Sequence, residues 1–237
     1  MKLPSIRQFL RRVLRKFGLE LTPFQPWMDF NSFLRFYKIK TVIDVGANKG
    51  QTVFEVMACD KSIKMHSFEP IRSVFKELVQ NTQHYPGLTC HNFGLGEKAE
   101  SLTINVNEAS QSSSILELGE THKRNFDFAV QTHQETIDII TLDSFFAKNT
   151  FEGALLLKID VQGFEKSVLL GAREALKKTD VIFIEATFQE LYVGQNLFGD
   201  LFNLLNEFGF NFVGFVEAAY DTKTTDTLYG NAIFRRR

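Results

Sequence analysis

An α/β fold organised around a mostly parallel sheet is what this sequence predicts, on three observations. Short apolar runs rich in Val, Ile and Leu alternate with stretches whose apolar residues recur at helical spacing. A glycine turn, Asp44-Val-Gly-Ala-Asn-Lys-Gly50, joins the first clear strand pattern to a helical one. Carboxylates stand at the ends of other runs, at Glu69, Asp160 and Glu185, on the sheet edge where ligands bind in open α/β sheets.

Residues 1–19 carry six basic residues, Lys2, Arg7, Arg11, Arg12, Arg15 and Lys16, with no acid before Glu20. Leu3, Ile6, Phe9, Leu10, Val13, Leu14 and Phe17 recur at three and four, so an amphipathic basic helix is predicted. It suits an anionic membrane surface, or packs its apolar face on the domain or on a second subunit. After Pro23 and Pro26, Trp27 to Tyr37 reads as a second helix, completing an extension of residues 1–38 ahead of a domain over 39–237.

Within that domain, residues 41–45 form a buried strand and 51–58 a helix. Residues 64–69 and 88–93 are strands on either side of a helix over 71–81. The region 97–141 departs from this alternation. Residues 101–106 and 135–140 alternate polar and apolar, as antiparallel strands do, around a polar loop Ser110-Gln-Ser-Ser-Ser114 and the histidines His122 and His133. A short helix starts at Thr141, and 154–160 is the strongest central strand, followed by a helix through Val168 and Leu169. Residues 180–185 form a fifth strand, 197–208 a helix closed by Gly209, and 210–216 and 228–234 the last two strands.

The chain has 237 residues, 44% of them hydrophobic and 23% charged, enough for one domain with a substantial core. Its formal net charge of -1 gives no argument for nucleic acid. The 25 phenylalanines read as core packing, and Cys59 and Cys90 as small buried hydrophobes in a reducing compartment. No membrane span or secretory signal is expected, which makes the cytoplasm the default location, with the basic helix a peripheral contact to the inner face of a membrane.

The turn indicates the ligand. A Gly46-x-x-x-Gly50 turn lets backbone approach a nucleotide, and Glu69, nineteen residues on, can accept from both hydroxyls of a ribose. A dinucleotide site needs a glycine where Asn48 stands, which argues against an NAD-dependent dehydrogenase. S-adenosylmethionine has a ribose and no phosphate, and suits this turn better.

These residues resemble the FkbM family of S-adenosylmethionine-dependent methyltransferases over roughly residues 40–235. Asp44-Val-Gly-Ala-Asn-Lys-Gly50 is similar to its cofactor loop, Phe68-Glu69-Pro70 to its ribose segment, and Ser112-Ser-Ser-Ile-Leu116 and Thr141-Leu-Asp143 to two shorter stretches. Leu157-Lys-Ile-Asp-Val-Gln-Gly-Phe-Glu165 with Val168-Leu-Leu-Gly-Ala172 resembles the most diagnostic segment, with Gln162 where the family usually has Glu. The resemblance implies a class I methyltransferase fold, a Rossmann-like seven-stranded sheet with a reversed last strand. It also implies methyl transfer, usually to a hydroxyl of a sugar, polysaccharide or related metabolite. Asp44, Gly46, Asn48 and Gly50 would then lie near the methionine end of the cofactor, Glu69 on the ribose, and Phe68, Asn92 and Phe93 near the adenine. Asp160 would serve as base or as ligand of a divalent metal such as Mg, Glu185 would support it, and His133 and His122 are further candidates for proton transfer. The alternative is an inactive methyltransferase-like module that binds a partner or membrane.

Overall fold

The computed structural model describes residues 6–17, 30–107, 110–126, 131–221 and 223–237. Seven elements open the described chain: α1 (Ile6–Arg15), α2 (Phe30–Phe36), β1 (Ile39–Val45), α3 (Gln51–Cys59), β2 (Lys64–Phe68), α4 (Arg72–Thr82) and β3 (Leu88–His91). β4 (Gly94–Leu95), β5 (Glu100–Asn107), α5 (Glu120–Asn125) and β6 (Gln131–Ile140) follow, then α6 (Leu142–Phe146), β7 (Ala154–Ile159), α7 (Glu165–Leu170), α8 (Arg173–Leu176) and β8 (Val181–Thr187). α9 (Phe198–Glu207), β9 (Phe210–Tyr220) and β10 (Thr227–Arg236) complete it.

Seven strands form one sheet in the order β3-β2-β1-β7-β8-β10-β9. β1 pairs in parallel with β2 and β7, and β7 with β8, while β10 runs antiparallel to both β8 and β9. The reversed last strand is therefore present. β4, β6 and β5 make a second sheet of three strands, in which β5 and β6 are the antiparallel pair expected over 101–106 and 135–140.

Side chains alternate across a strand, so each central strand fills two cores. Ile43, Leu155, Leu157, Ile182 and Ile184 pack on one face with residues of α6 to α9. Val42, Met65, Leu156, Val181 and Phe183 pack on the other with residues of α2, α3 and α4. Helix cover on both faces is what near-continuous apolar strands require. α2 belongs to this second core: Phe30, Phe33 and Leu34 are buried, and the Phe30 ring meets Phe183 edge-on at 5.1 Å. Leu10, Val13 and Phe17 of the basic N-terminal segment are exposed, and among the described residues no helix is long and apolar enough to cross a membrane.

The third strand ends at His91, short of the expected Phe93. The Asn92 side chain instead donates to the carbonyl oxygens of Glu69 and Pro70, both at 3.0 Å, and Gly94 then starts pairing in the small sheet. Trp27, the expected start of the second helix, lies outside the described residues.

Candidate active site

The period of two that fills the cores also builds the site. Continuing each apolar stripe of the α2–α4 face by two residues along its strand reaches a polar side chain: Val42 leads to Asp44, Met65 to Ser67, Leu156 to Lys158 and Phe183 to Glu185. The antiparallel β10 does the same in reverse, with Asn231 two residues before Ile233. Asp44 stands opposite Ser67 and Lys158 in register, and Asn231 opposite Glu185. A polar row thus crosses the sheet at the carboxyl ends of its parallel strands, beside a cleft of about 440 Å³.

The cofactor-like turn forms one wall. Gly46 has φ +80°, and a Cβ there would lie 1.8 Å from the Asp160 carbonyl oxygen, so only glycine lets the ends of β1 and β7 approach this closely. The backbone N–H groups of Gly46 and Ala47 donate to the Phe68 carbonyl. Asn48 adopts φ +47°, and Gly50, at φ +99°, precedes α3 and packs against α4. Glu69 follows β2 and is 4% exposed; its Oε2 accepts from the Asn48 N–H at 3.0 Å and its Oε1 from the Ile71 N–H at 2.9 Å. Burial raises its pKa from 4.5 to about 7. Each oxygen keeps a second lone pair for a ligand hydroxyl.

Charge is concentrated at the centre. Lys158 Nζ lies 3.5 Å from Asp44 Oδ1 and 3.3 Å from Asp160 Oδ2. Burial works to lower the Lys158 pKa, but Asp160 and Asp44 outweigh it and hold the ammonium charged. Asp44 is fully buried, accepts from Ser67 Oγ at 3.2 Å, and has its own pKa raised by burial. Gln162, in the left-handed conformation at φ +54°, donates through Nε2 to Asp160 Oδ1 and to Glu185 Oε2, both at 2.8 Å. Tyr192, buried, donates its hydroxyl to Gln162 Oε1 at 2.6 Å and so orients the amide with its NH₂ toward the two carboxylates. Burial, then the charges of Asp160 and Glu165, push the Glu185 carboxyl well above its ordinary range.

The polar loop forms the opposite wall. Ser110 Oγ donates to Asn48 Oδ1 at 3.1 Å, and Ser114 Oγ to the Gln162 carbonyl at 2.6 Å, so the loop spans from the glycine turn to the carboxylate pair. Gly46, Asn48, Phe68, Glu69, Asp160 and Glu185 all line the cleft. Asp44 does not line it; it is fully buried and meets Lys158, which does. Asn92 and Phe93 do not line it: Asn92 ties down the Glu69–Pro70 carbonyls, and Phe93 packs beside Phe68 and His91. His133 is exposed on β6 opposite Val106 and is not brought to the cleft. His122 does line it, buried against Tyr192. Lys158, Tyr192 and the Gln162 bridge were not anticipated as site residues; a lysine inside the otherwise apolar run 154–159 was the available signal.

The pattern of the Methyltransferase FkbM domain matches residues 44–212. The chain belongs to the FkbM methyltransferase family. Curated proteins of similar sequence include the 2-O-methyltransferase NoeI of Sinorhizobium fredii, 21% identical over 173 residues, or 70% of this chain and 71% of that protein. The hexuronic acid methyltransferase AglP of Haloferax volcanii is 26% identical over 143 residues, covering 60% of this chain and 54% of AglP. The crystal structure of the FkbM methyltransferase from Methylobacillus flagellatus superposes with a TM-score of 0.52 at 19% identity, covering 89% of this chain and 47% of that one. This chain thus spans about half the length of two of these three proteins. FkbM membership makes S-adenosylmethionine the implied methyl donor.

The site chemistry fits that donor. Lys158 is the one lysine or arginine among the described residues lining the cleft, and two aspartates engage it. An acidic lining suits a cationic sulfonium and ammonium. A divalent metal fits poorly. Both Asp160 oxygens already face nitrogen donors, and among the described residues no three His, Cys, Asp or Glu side chains group to hold a metal ion.

Proposed function

We propose that this FkbM-family protein transfers a methyl group to a hydroxyl oxygen of a sugar or related polyhydroxy acceptor. The observation that carries the reading is the meeting, in one cleft, of the Gly46–Glu69 wall with the Asp160–Gln162–Glu185 bridge. The names of NoeI and AglP, which describe a 2-O-methyltransferase and a hexuronic acid methyltransferase, support it.

S-adenosylmethionine supplies a methyl group already activated by its sulfonium. What the chain must do is hold the acceptor in line and take up its proton. Glu69 accepts the ribose hydroxyls while its backbone partners fix its orientation. Asp160, with a side chain 33% exposed, receives the proton of the acceptor hydroxyl as the bond to carbon forms. Gln162 and Lys158 hold its two oxygens, and burial, then the charges of Asp160 and Glu165, disfavour a second negative charge on the neighbouring Glu185.

Asp160→Asn tests this. It keeps the shape and the Lys158 contact but removes the base, so turnover is expected to fall about 10²–10⁴-fold, with cofactor affinity within a few-fold. A near-normal rate would remove Asp160 from the chemistry.

A further inference from the structure

We infer that Glu217 and Asn231 form an acceptor-selecting rim of this cleft, and that it takes an uncharged polyhydroxy ring and rejects one carrying a carboxylate or phosphate beside the reacting hydroxyl. This rests on the sugar O-methyltransferase reading and names the substrate class within it.

Glu217 and Asn231 both line the cleft, and Asn231 Nδ2 donates to Glu217 Oε2 at 3.0 Å. Their placement follows from the sheet. Asn231 on β10 stands opposite Glu185 on β8 and opposite Val216 on β9. Glu217, next after Val216, would ordinarily point to the other face. The register of β9 against β10 shifts between Asn231 and Tyr229, setting Glu217 and Ala218 against Gly230 alone, and Glu217 takes φ +54°. That bulge turns the Glu217 carboxylate onto the cleft face beside Asn231. Asp160, Glu185, Asn231 and Glu217 therefore follow one another across β7, β8, β10 and β9, three strand spacings of about 4.8 Å each. Tyr229, half-buried in the lining, feels Glu185, Asp160 and Glu217 together: burial first, then these three, raises its pKa.

The chemistry of this rim is selective. A carboxylate and a carboxamide side by side offer acceptors and a donor to adjacent hydroxyls, the pattern a sugar presents. An anion placed there meets the Glu217 carboxylate. Glu217 contributes a carboxylate, and the one lysine among the described lining residues is already shared between Asp44 and Asp160. Like charges juxtaposed in a binding site disfavour the charged ligand and so set specificity.

The test is methyl transfer from labelled S-adenosylmethionine by the full chain to two matched panels. One holds methyl glycosides of neutral hexoses in the gluco, galacto and manno series, the other the corresponding hexuronosides. The neutral panel should be preferred at least tenfold in kcat/KM. Glu217→Gln should bring the two toward parity, mainly by lowering KM for the uronosides, with S-adenosylhomocysteine affinity unchanged within twofold. Equal use of both panels by the wild type, or a ratio that Glu217→Gln leaves unmoved, overturns the assignment while leaving sugar methylation standing. Methylation of neither panel by protein that binds S-adenosylhomocysteine overturns the sugar reading and the rim together.

Discussion

Lys158 is the residue on which the charges of the cleft depend. It sits in a strand whose other members are apolar, and it is 9% exposed with aspartates on two sides. Removing one partner of a buried ion pair leaves an uncompensated charge, which costs more than the pair contributes. Lys158→Met is therefore expected to lower unfolding free energy by about 3–5 kcal/mol, read by denaturant titration. Lys158→Arg should cost less, because it keeps the charge. Sequence reasoning singled out Asp44, Glu69, Asp160 and Glu185, because a carboxylate ending an apolar run stands out, and the last three line the cleft. It passed over Lys158, Tyr192 and the bridging contacts of Gln162, which exist only once β7, β8 and the 190s meet in space. His133 illustrates the converse: a histidine is conspicuous in sequence, yet it stands exposed on β6 and does not line the cleft.

The element that fixes Asp160 and Gln162 is the turn between β7 and α7. Glu165, buried at the first position of α7, accepts from the Val161 and Gly163 N–H groups at 3.1 Å each, holding Gln162 and Gly163 in their left-handed conformations. Glu165→Ala leaves both donors unsatisfied and should cost about 1–3 kcal/mol. Glu165→Gln keeps an acceptor and removes the charge, so its cost depends on pH. Burial raises the Glu165 pKa from 4.5 to about 7. The unfolded chain ionises first as pH rises, and the wild type loses stability from pH 4.5 until the folded carboxyl also ionises near 7. The Tm of Glu165→Gln relative to wild type should thus increase between pH 5 and pH 8; a constant difference would contradict the raised pKa. The Asp160-to-Glu165 segment was legible as a motif. The bulge at Glu217 was not, since nothing in 210–220 marks an extra residue until β10 is paired against it.

At the scale of the whole molecule, the order of the seven strands puts the glycine turn, the carboxylate bridge and the Glu217–Asn231 rim in sequence along one edge. The alternation of elements and the reversed last strand were readable from apolar periodicity and from the family resemblance. The exceptions have local causes: β3 stops where Asn92 turns its amide to the Glu69 loop, and β4 is recruited to the small sheet. The central claim is that this edge binds S-adenosylmethionine with Glu69 on its ribose, and it is tested most directly by calorimetric titration of wild type and Glu69→Ala, with NAD in parallel. Because Glu69 titrates near 7 in the free protein and its ionised form is the better acceptor, wild-type affinity should rise with pH up to about 7 and then level. Micromolar binding that Glu69→Ala weakens at least tenfold, about 1.4 kcal/mol, with no binding of NAD, is the predicted result. Binding of NAD in preference, or an affinity for S-adenosylmethionine that Glu69→Ala leaves unchanged, would contradict it.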